Sequence, residues 1–303
     1  MSTIYRDKIG YLDYSESINF NNGKICPLDN FDKITSSIKE KTNEDGFFYP
    51  PIINTYRQFH KVVDGELQKR EELIPKTKRP AHLFKMPPSH EIQITKPIYA
   101  NAPRTNDGLF ITYLTAFLFG VRLQFHDWWF DGRVPVEVKQ DFYIRHSDIE
   151  QFIELAYCTW RSSSEKEKAL LNNLLYMQTR IKSYEWDWEK FIIAYMVFDG
   201  CYKFLNLTSG VFSKSHKKRM QTVLKHFDMK SNREWIDRFI KLRNDLFHET
   251  LWDGGQPCHS GSTYAYSAMT HLSKLNSRII VSLLGYKGEY TQSPWWNLGT
   301  FAF

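Results

Sequence analysis

The stretch Ser231–His248, SNREWIDRFIKLRNDLFH, decides how the C-terminal half of this chain reads. Trp235, Phe239, Leu242 and Leu246 fall at spacings of four, three and four, which makes one apolar helical stripe, and Ile236 and Ile240 widen it. Ser231-Asn232-Arg233-Glu234 reads as a capping box opening a helix over about 232–250. Asn244 and His248 are four apart, so they share a face about 40° from each other, and the amide can hydrogen-bond the imidazole. Arg243 lies about 140° around an ideal helix from His248. On that geometry the Arg side chain must curl back, or a second subunit must complete the site. Arg is a fixed-charge, forked phosphate binder, and His is the side chain that cycles its proton near neutral pH. The two together have what metal-free phosphodiester cleavage requires.

Outward from this stretch the sequence keeps a helical period. Ser147-Asp148-Ile149-Glu150 reads as another capping box, with Phe152, Leu155 and Ala156 on one stripe beyond it. A Ser-rich break at 162–164 precedes a helix over about 165–182 carrying Leu170, Leu171, Leu174 and Met177. Further helices are expected over about 186–206, through Phe191, Ile192, Tyr195, Met196 and Phe198, and over about 215–228, which is basic. A last helix begins at Ser262 and ends at Gly285 as its C-cap. Residues 146–303 therefore read as an all-α bundle with short connections.

Residues 1–145 have a different character. Short apolar runs alternate with Pro and Gly breaks, as in Phe47-Phe48-Tyr49-Pro50-Pro51 and Met86-Pro87-Pro88, and Glu91–Thr95 alternates with the period of a strand. Leu109–Val121 reads as a buried helix, too short to span a bilayer. Asp131-Gly132-Arg133 marks a turn, and Val134–Tyr143 is a strand or an extended connection. The class is α+β: a mixed, β-containing N-terminal domain, suited to sensing a trigger or binding a partner, followed by the helical bundle.

The 303 residues allow two domains or one large one, and the 42% hydrophobic and 24% charged content is ordinary for a globular chain. The formal charge of +6 is compatible with a polyanionic partner. Residues 211–250 hold ten Lys and Arg against five acids, so +5 of that charge lies here. Lys214, His216, Lys217, Lys218 and Arg219 are the densest group, able to line an approach for RNA phosphates beside the motif. Cys26, Cys158, Cys201 and Cys258 are far apart and form no CxxC pair, which reads as a reduced cytoplasmic protein with buried thiols. The N-terminus, MSTIYRDKIG, has no apolar core of a secretory signal.

Arg243-Asn244 followed by three residues and His248, at the end of a helix within a bundle of about five, resembles the HEPN superfamily. The layout over about 147–285 is similar to its Apea-like group, common in microbial defence systems. The resemblance covers the C-terminal half alone. It implies an endoribonuclease needing no metal or cofactor, acting as a homodimer or larger assembly with two motifs facing a shared cleft, in a toxin or antiviral role. It further implies that His248 is the general acid/base, that Arg243 holds the scissile phosphate, and that Asn244 orients His248 or the phosphate. The 2′-OH would attack its own phosphate and leave a 2′,3′-cyclic end. Thr250 stands where a subset of HEPN toxins has a Tyr modified by a partner nucleotidyltransferase, so that form of control is not expected.

Other signals are weaker. His126-Asp127-Trp128-Trp129 with Asp131 lacks a second His at ligand spacing, and Cys258-His259 is an isolated pair; neither makes a convincing metal site. Lys76, Lys78, Arg79 and Lys85 read as an exposed loop. Glu185, Asp187, Glu189 and Asp199 border the third helix of the bundle, from which one could approach the motif. No phosphate-binding glycine loop or Gly-x-Ser-x-Gly elbow occurs. The competing reading is a non-catalytic helical interaction module, whose N-terminal half recognises a protein or ligand.

Overall fold

The computed structural model describes residues 4–49, 56–75, 83–137, 142–257, 263–297, 299 and 301–302. The fold is α+β, strand-rich towards the N-terminus and helical towards the C-terminus. The strands are β1 (Ile4–Gly10), β2 (Ile18–Phe20), β3 (Gly23–Pro27), β4 (Phe47–Phe48), β5 (Tyr56–Val63), β6 (Glu66–Leu73), β7 (Leu83–Phe84), β8 (His90–Thr95) and β9 (Gln124–Phe125), with four two-residue strands beyond among the described residues. Five of them form an antiparallel sheet in the order β2-β3-β8-β1-β9. The alternation at 91–95 is thus the central strand, with Ile92 and Ile94 fully buried. Helix α1 (Phe31–Lys39) follows β3.

The buried helix expected at 109–121 is α2 (Leu109–Phe119), closed by Gly120 in the left-handed conformation. It is followed by α3 (His146–Ser162), α4 (Glu165–Arg180), α5 (Asp187–Ser209), α6 (His216–His226), α7 (Arg233–Asn244) and α8 (Thr263–Leu283). The expected start at Ser262 and the pair Cys258-His259 lie outside the described residues, as do Lys76, Lys78 and Arg79. One apolar cluster runs without a break from Ile9, Ile25 and Ile92 of the sheet through Phe110 and Tyr157 to Phe198, Phe239 and Leu275 of the bundle. Residue 145 marks a change in sequence character, and the core continues across it.

Two capping expectations change. Helix α3 begins at His146 with Arg145 as its uncapped N-cap, so Ser147 and Glu150 form no capping box. Glu150 instead accepts from the backbone N–H of Asn19 at 2.7 Å, and Glu154 from that of Asn21 at 2.7 Å, which pins α3 to β2. The buried stripe of α3 is Ile149, Phe152, Ile153, Ala156, Tyr157 and Trp160, and Leu155 lies off it, exposed. At α7 the cap is Asn232, whose Oδ1 accepts from the N–H of Trp235 at 3.1 Å. The capping box that does form is Ser164 with Glu167, at the Ser-rich break. Of the thiols, Cys201 is buried, Cys26 half-buried and Cys158 exposed beside Glu154, so not all are core residues.

Candidate functional site

Ile236, Phe239 and Leu242 of α7 are fully buried, while Trp235, Ile240 and Leu246 flank them half-buried. This face sets α7 against α6 and α8 and leaves the motif on the outer edge of the bundle. The helix does not continue to 250 as an α-helix. Residues Asp245–Glu249 form a π-turn, closed by Thr250 in the left-handed conformation with its backbone N–H on the Asp245 carbonyl. A π-turn repeats at i and i+5, where an α-turn repeats at i and i+4.

That change of period overturns the expectation drawn from ideal helix geometry. Arg243 and His248, five apart, meet: the Arg243 Nη1 donates to the His248 Nε2 at 2.8 Å. A guanidinium has no lone pair to offer, so Nε2 is the acceptor and the imidazole in this contact is neutral. Asn244 does not orient His248; its Oδ1 accepts from the Arg243 Nη1 at 3.1 Å. The guanidinium also lies over the Phe247 ring, 5.2 Å from its centroid. Arg243 is therefore held by three side chains of its own turn, and its Nε and Nη2 have no hydrogen-bond partner among the described residues. Asn244, Phe247 and His248 are exposed, so the site opens directly to solvent.

The turn is anchored from behind. Trp252 is buried and packs on Phe191 of α5, with ring centroids 5.3 Å apart, and it pairs through its backbone with Gly255. Arg238 of α7 forms an ion pair with Asp253. Lys241 pairs with Asp245 at the start of the π-turn. The residues on both sides of the motif are thus tied to α5 and α7.

Helices α5 and α6 add a second set of groups. The Tyr195 hydroxyl lies 3.1 Å from the His216 Nδ1, and Asp199 Oδ1 is 3.8 Å from the same nitrogen. Arg219 donates to Asp199 at 3.2 Å and to the Ser213 carbonyl at 3.1 Å. Burial pushes the His216 pKa below the usual imidazole value; Asp199 opposes this, while Arg243 and Arg219 push it further down. Burial likewise raises the Tyr195 pKa, Asp199 adds to the rise, and Arg243 opposes it. The field of Arg243 thus reaches both His248 on its own turn and the Tyr195–His216 pair on the neighbouring helices. Of the four acids bordering α5, Asp199 is the one in this cluster. His216 reads in sequence as one member of a basic run, and Tyr195 as a core residue; only the packing of α5, α6 and α7 brings them to Arg243.

The expected RNA-binding residues divide in two. Lys214 and Lys218 are exposed. Lys217 is in an ion pair with Asp237 of α7, and Arg219 is engaged by Asp199. At the other candidate, Asp127 pairs with Arg104, and Asp131 with Arg122 and Arg180, so both carboxylates are in structural ion pairs. Among the described residues no group of three or more His, Cys, Asp and Glu side chains is placed to hold a metal ion, and no helix is long and apolar enough to cross a membrane. No family model matches the chain, and neither a curated protein nor a solved structure matches it.

Proposed function

We propose that this chain is an endoribonuclease of HEPN type, with His248 as a general acid/base, Arg243 as the phosphate-holding cation and Asn244 as the residue that positions Arg243. The observation that carries the reading is the 2.8 Å apposition of Arg243 and His248 on a solvent-facing π-turn. The π-turn sits at the C-terminus of α7, and the half-buried guanidinium keeps its Nε and Nη2 unengaged among the described residues, donors that match the fork of a phosphate. An entering phosphodiester would take the guanidinium from the imidazole and leave Nε2 able to exchange a proton with it. General acid–base help of this kind contributes roughly 10²–10⁴-fold. The apposition within one chain removes the geometric need for a second subunit; the homodimer or larger assembly and the toxin or antiviral role rest on the family resemblance, and the cytoplasmic setting on the cysteine spacing.

Exposed Lys214 and Lys218 supply the approach for RNA. The N-terminal half has a surface suited to a protein partner: the β5–β6 hairpin, turned at Asp64-Gly65, exposes Tyr56, Phe59, Val62 and Leu67. The test is incubation of the protein with end-labelled RNA in EDTA. Cleavage by the wild type, leaving cyclic-phosphate ends, and its loss in His248→Ala and Arg243→Ala support the reading. Intact RNA with folded wild type, across single-stranded and structured substrates, favours the non-catalytic interaction module.

A further inference from the structure

We propose that His216 is the second proton-transferring imidazole of this site, acting as the general base opposite His248, with Tyr195 and Asp199 as its positioning residues. The inference rests on the ribonuclease reading above. Transesterification of RNA moves two protons: one leaves the 2′-OH and one arrives at the 5′-oxygen. A single imidazole serves both only in sequence, whereas two serve them in one step.

His216 has the surroundings of a base. Its Nδ1 is tied to the Tyr195 hydroxyl at 3.1 Å, with the Asp199 carboxylate 3.8 Å away. That fixes the ring and leaves Nε2 without a partner among the described residues, on a side chain that retains 24% of its exposure. It is the first residue of α6, where the positive end of the helix dipole disfavours an imidazolium. The charged and titratable groups facing it are Tyr195 and Asp199 from α5, Arg219 from α6 and Arg243 from α7. Burial and the two arginines disfavour the imidazolium, and Asp199 favours it. With Nδ1–H donating to the Tyr195 oxygen, Nε2 is the proton acceptor, and the Asp199 carboxylate at 3.8 Å supplies charge, not a direct hydrogen bond.

In the proposed step the 2′-oxygen forms its bond to phosphorus while the bond from phosphorus to the 5′-oxygen breaks. The 2′-OH proton passes to the His216 Nε2, and the 5′-oxygen takes a proton from His248, which enters as the imidazolium. The products are a 2′,3′-cyclic phosphate and a 5′-hydroxyl, and solvent returns both rings to their starting states.

The experiment compares wild type, His216→Gln, Asp199→Asn and His248→Ala on RNA in EDTA across pH, each checked for folding by circular dichroism. The expectation is a loss of roughly 10²-fold or more in His216→Gln. In Asp199→Asn the acidic limb of the rate profile should move to lower pH. A substrate with sulfur in place of the bridging 5′-oxygen needs no acid, so it should rescue His248→Ala and leave His216→Gln impaired. Wild-type rates in folded His216→Gln, or sulfur rescue of that variant, overturn the assignment while the ribonuclease reading stands. If wild type cleaves no RNA, the ribonuclease reading falls and the base role falls with it. The pairing of the rings is read independently by an imidazole nitrogen NMR titration with inorganic phosphate. Shifts at both His216 and His248 support the pair, and a shift at His248 alone overturns it.

Discussion

Arg243 and His248 are five residues apart and in contact, Nη1 to Nε2 at 2.8 Å, because the chain between them is wound as a π-turn. An α-helical path through the same residues would carry them to different sides of the helix. Insertion of one Ala between Phe247 and His248 puts the imidazole six residues from Arg243, a spacing that neither a π-turn nor an α-turn brings onto one face. The expected result is a folded protein whose RNA cleavage drops by about the 10²-fold or more associated with loss of an acid–base group. Cleavage assays alongside far-ultraviolet circular dichroism check it; undiminished cleavage would show that the turn geometry is irrelevant.

Arg243→Lys retains the charge and loses the fork. Lysine reaches as a point charge and cannot hold two phosphate oxygens in a plane, and it loses the contact to the Asn244 Oδ1 as arranged here. The variant is expected to cleave RNA more slowly than wild type by about tenfold or more, one factor of ten corresponding to about 1.4 kcal/mol in the transition state. Asn244→Ala, which frees the guanidinium without removing it, should fall between the two in kcat/KM.

Lys214 and Lys218 should weaken RNA binding differently from Lys217. The first two are exposed, while Lys217 already pairs with Asp237. Removing a lysine that contacts a phosphate lowers affinity for all sequences and reduces the salt slope by about one. Fluorescence titrations of labelled RNA at several salt concentrations, on the His248→Ala background, are expected to show this loss for Lys214→Ala and Lys218→Ala and a smaller one for Lys217→Ala. Equal effects for all three would place the approach elsewhere.

Trp252 holds the far side of the motif in the core. It is 2% exposed and packs on Phe191, and truncation of a buried aromatic of this size costs about 3–5 kcal/mol. Trp252→Ala is expected to lower the urea midpoint by that amount of stability and to loosen the turn at Arg243 and His248. Trp252→Phe, which keeps much of the packing, should recover most of both; denaturation curves with cleavage rates decide.

Stability should fall on mild acidification. His90 and His271 are buried, and their pKa values are pushed down to about 4, His90 by burial and His271 by burial and the nearby Lys274. His90 is held as the neutral ring, its Nε2 on the Tyr14 carbonyl at 2.8 Å and its Nδ1 beside the Ser89 hydroxyl at 2.9 Å. The unfolded chain binds protons at these positions below an ordinary imidazole pKa of about 6.5, and the folded chain does not until about 4. Stability is therefore complete above about pH 6.5 and is lost progressively between there and about 4, by up to about 3 kcal/mol for each ring. Urea denaturation from pH 7.5 to 4.5 measures the slope, and His271→Phe should flatten it.

The sequence alone determined the broad architecture. The alternation at 91–95 is legible because a strand has a period of two, α4, α5 and α7 because their apolar residues recur with the helical period, and α2 as one continuous apolar stretch. Asn232 and Ser164 could be read near helix starts because a short polar side chain there satisfies backbone donors. The residues Arg243, Asn244 and His248 were visible as chemistry. Their mutual geometry was not, because hydrophobic periodicity encodes only which face is buried. Beyond Leu246 the motif residues are exposed and carry no periodic signal, so nothing local distinguishes a π-turn from one more α-turn. The anchors that flank the turn, Trp252 on Phe191 and Asp253 on Arg238, are contacts across the fold. Tertiary structure alone decided that Tyr195 and His216, 53 and 32 residues before His248 in the chain, come within the field of Arg243, with Asp199 beside them. Side chains from separate helices meet through the packing of their apolar faces, and that packing is a property of the assembled core.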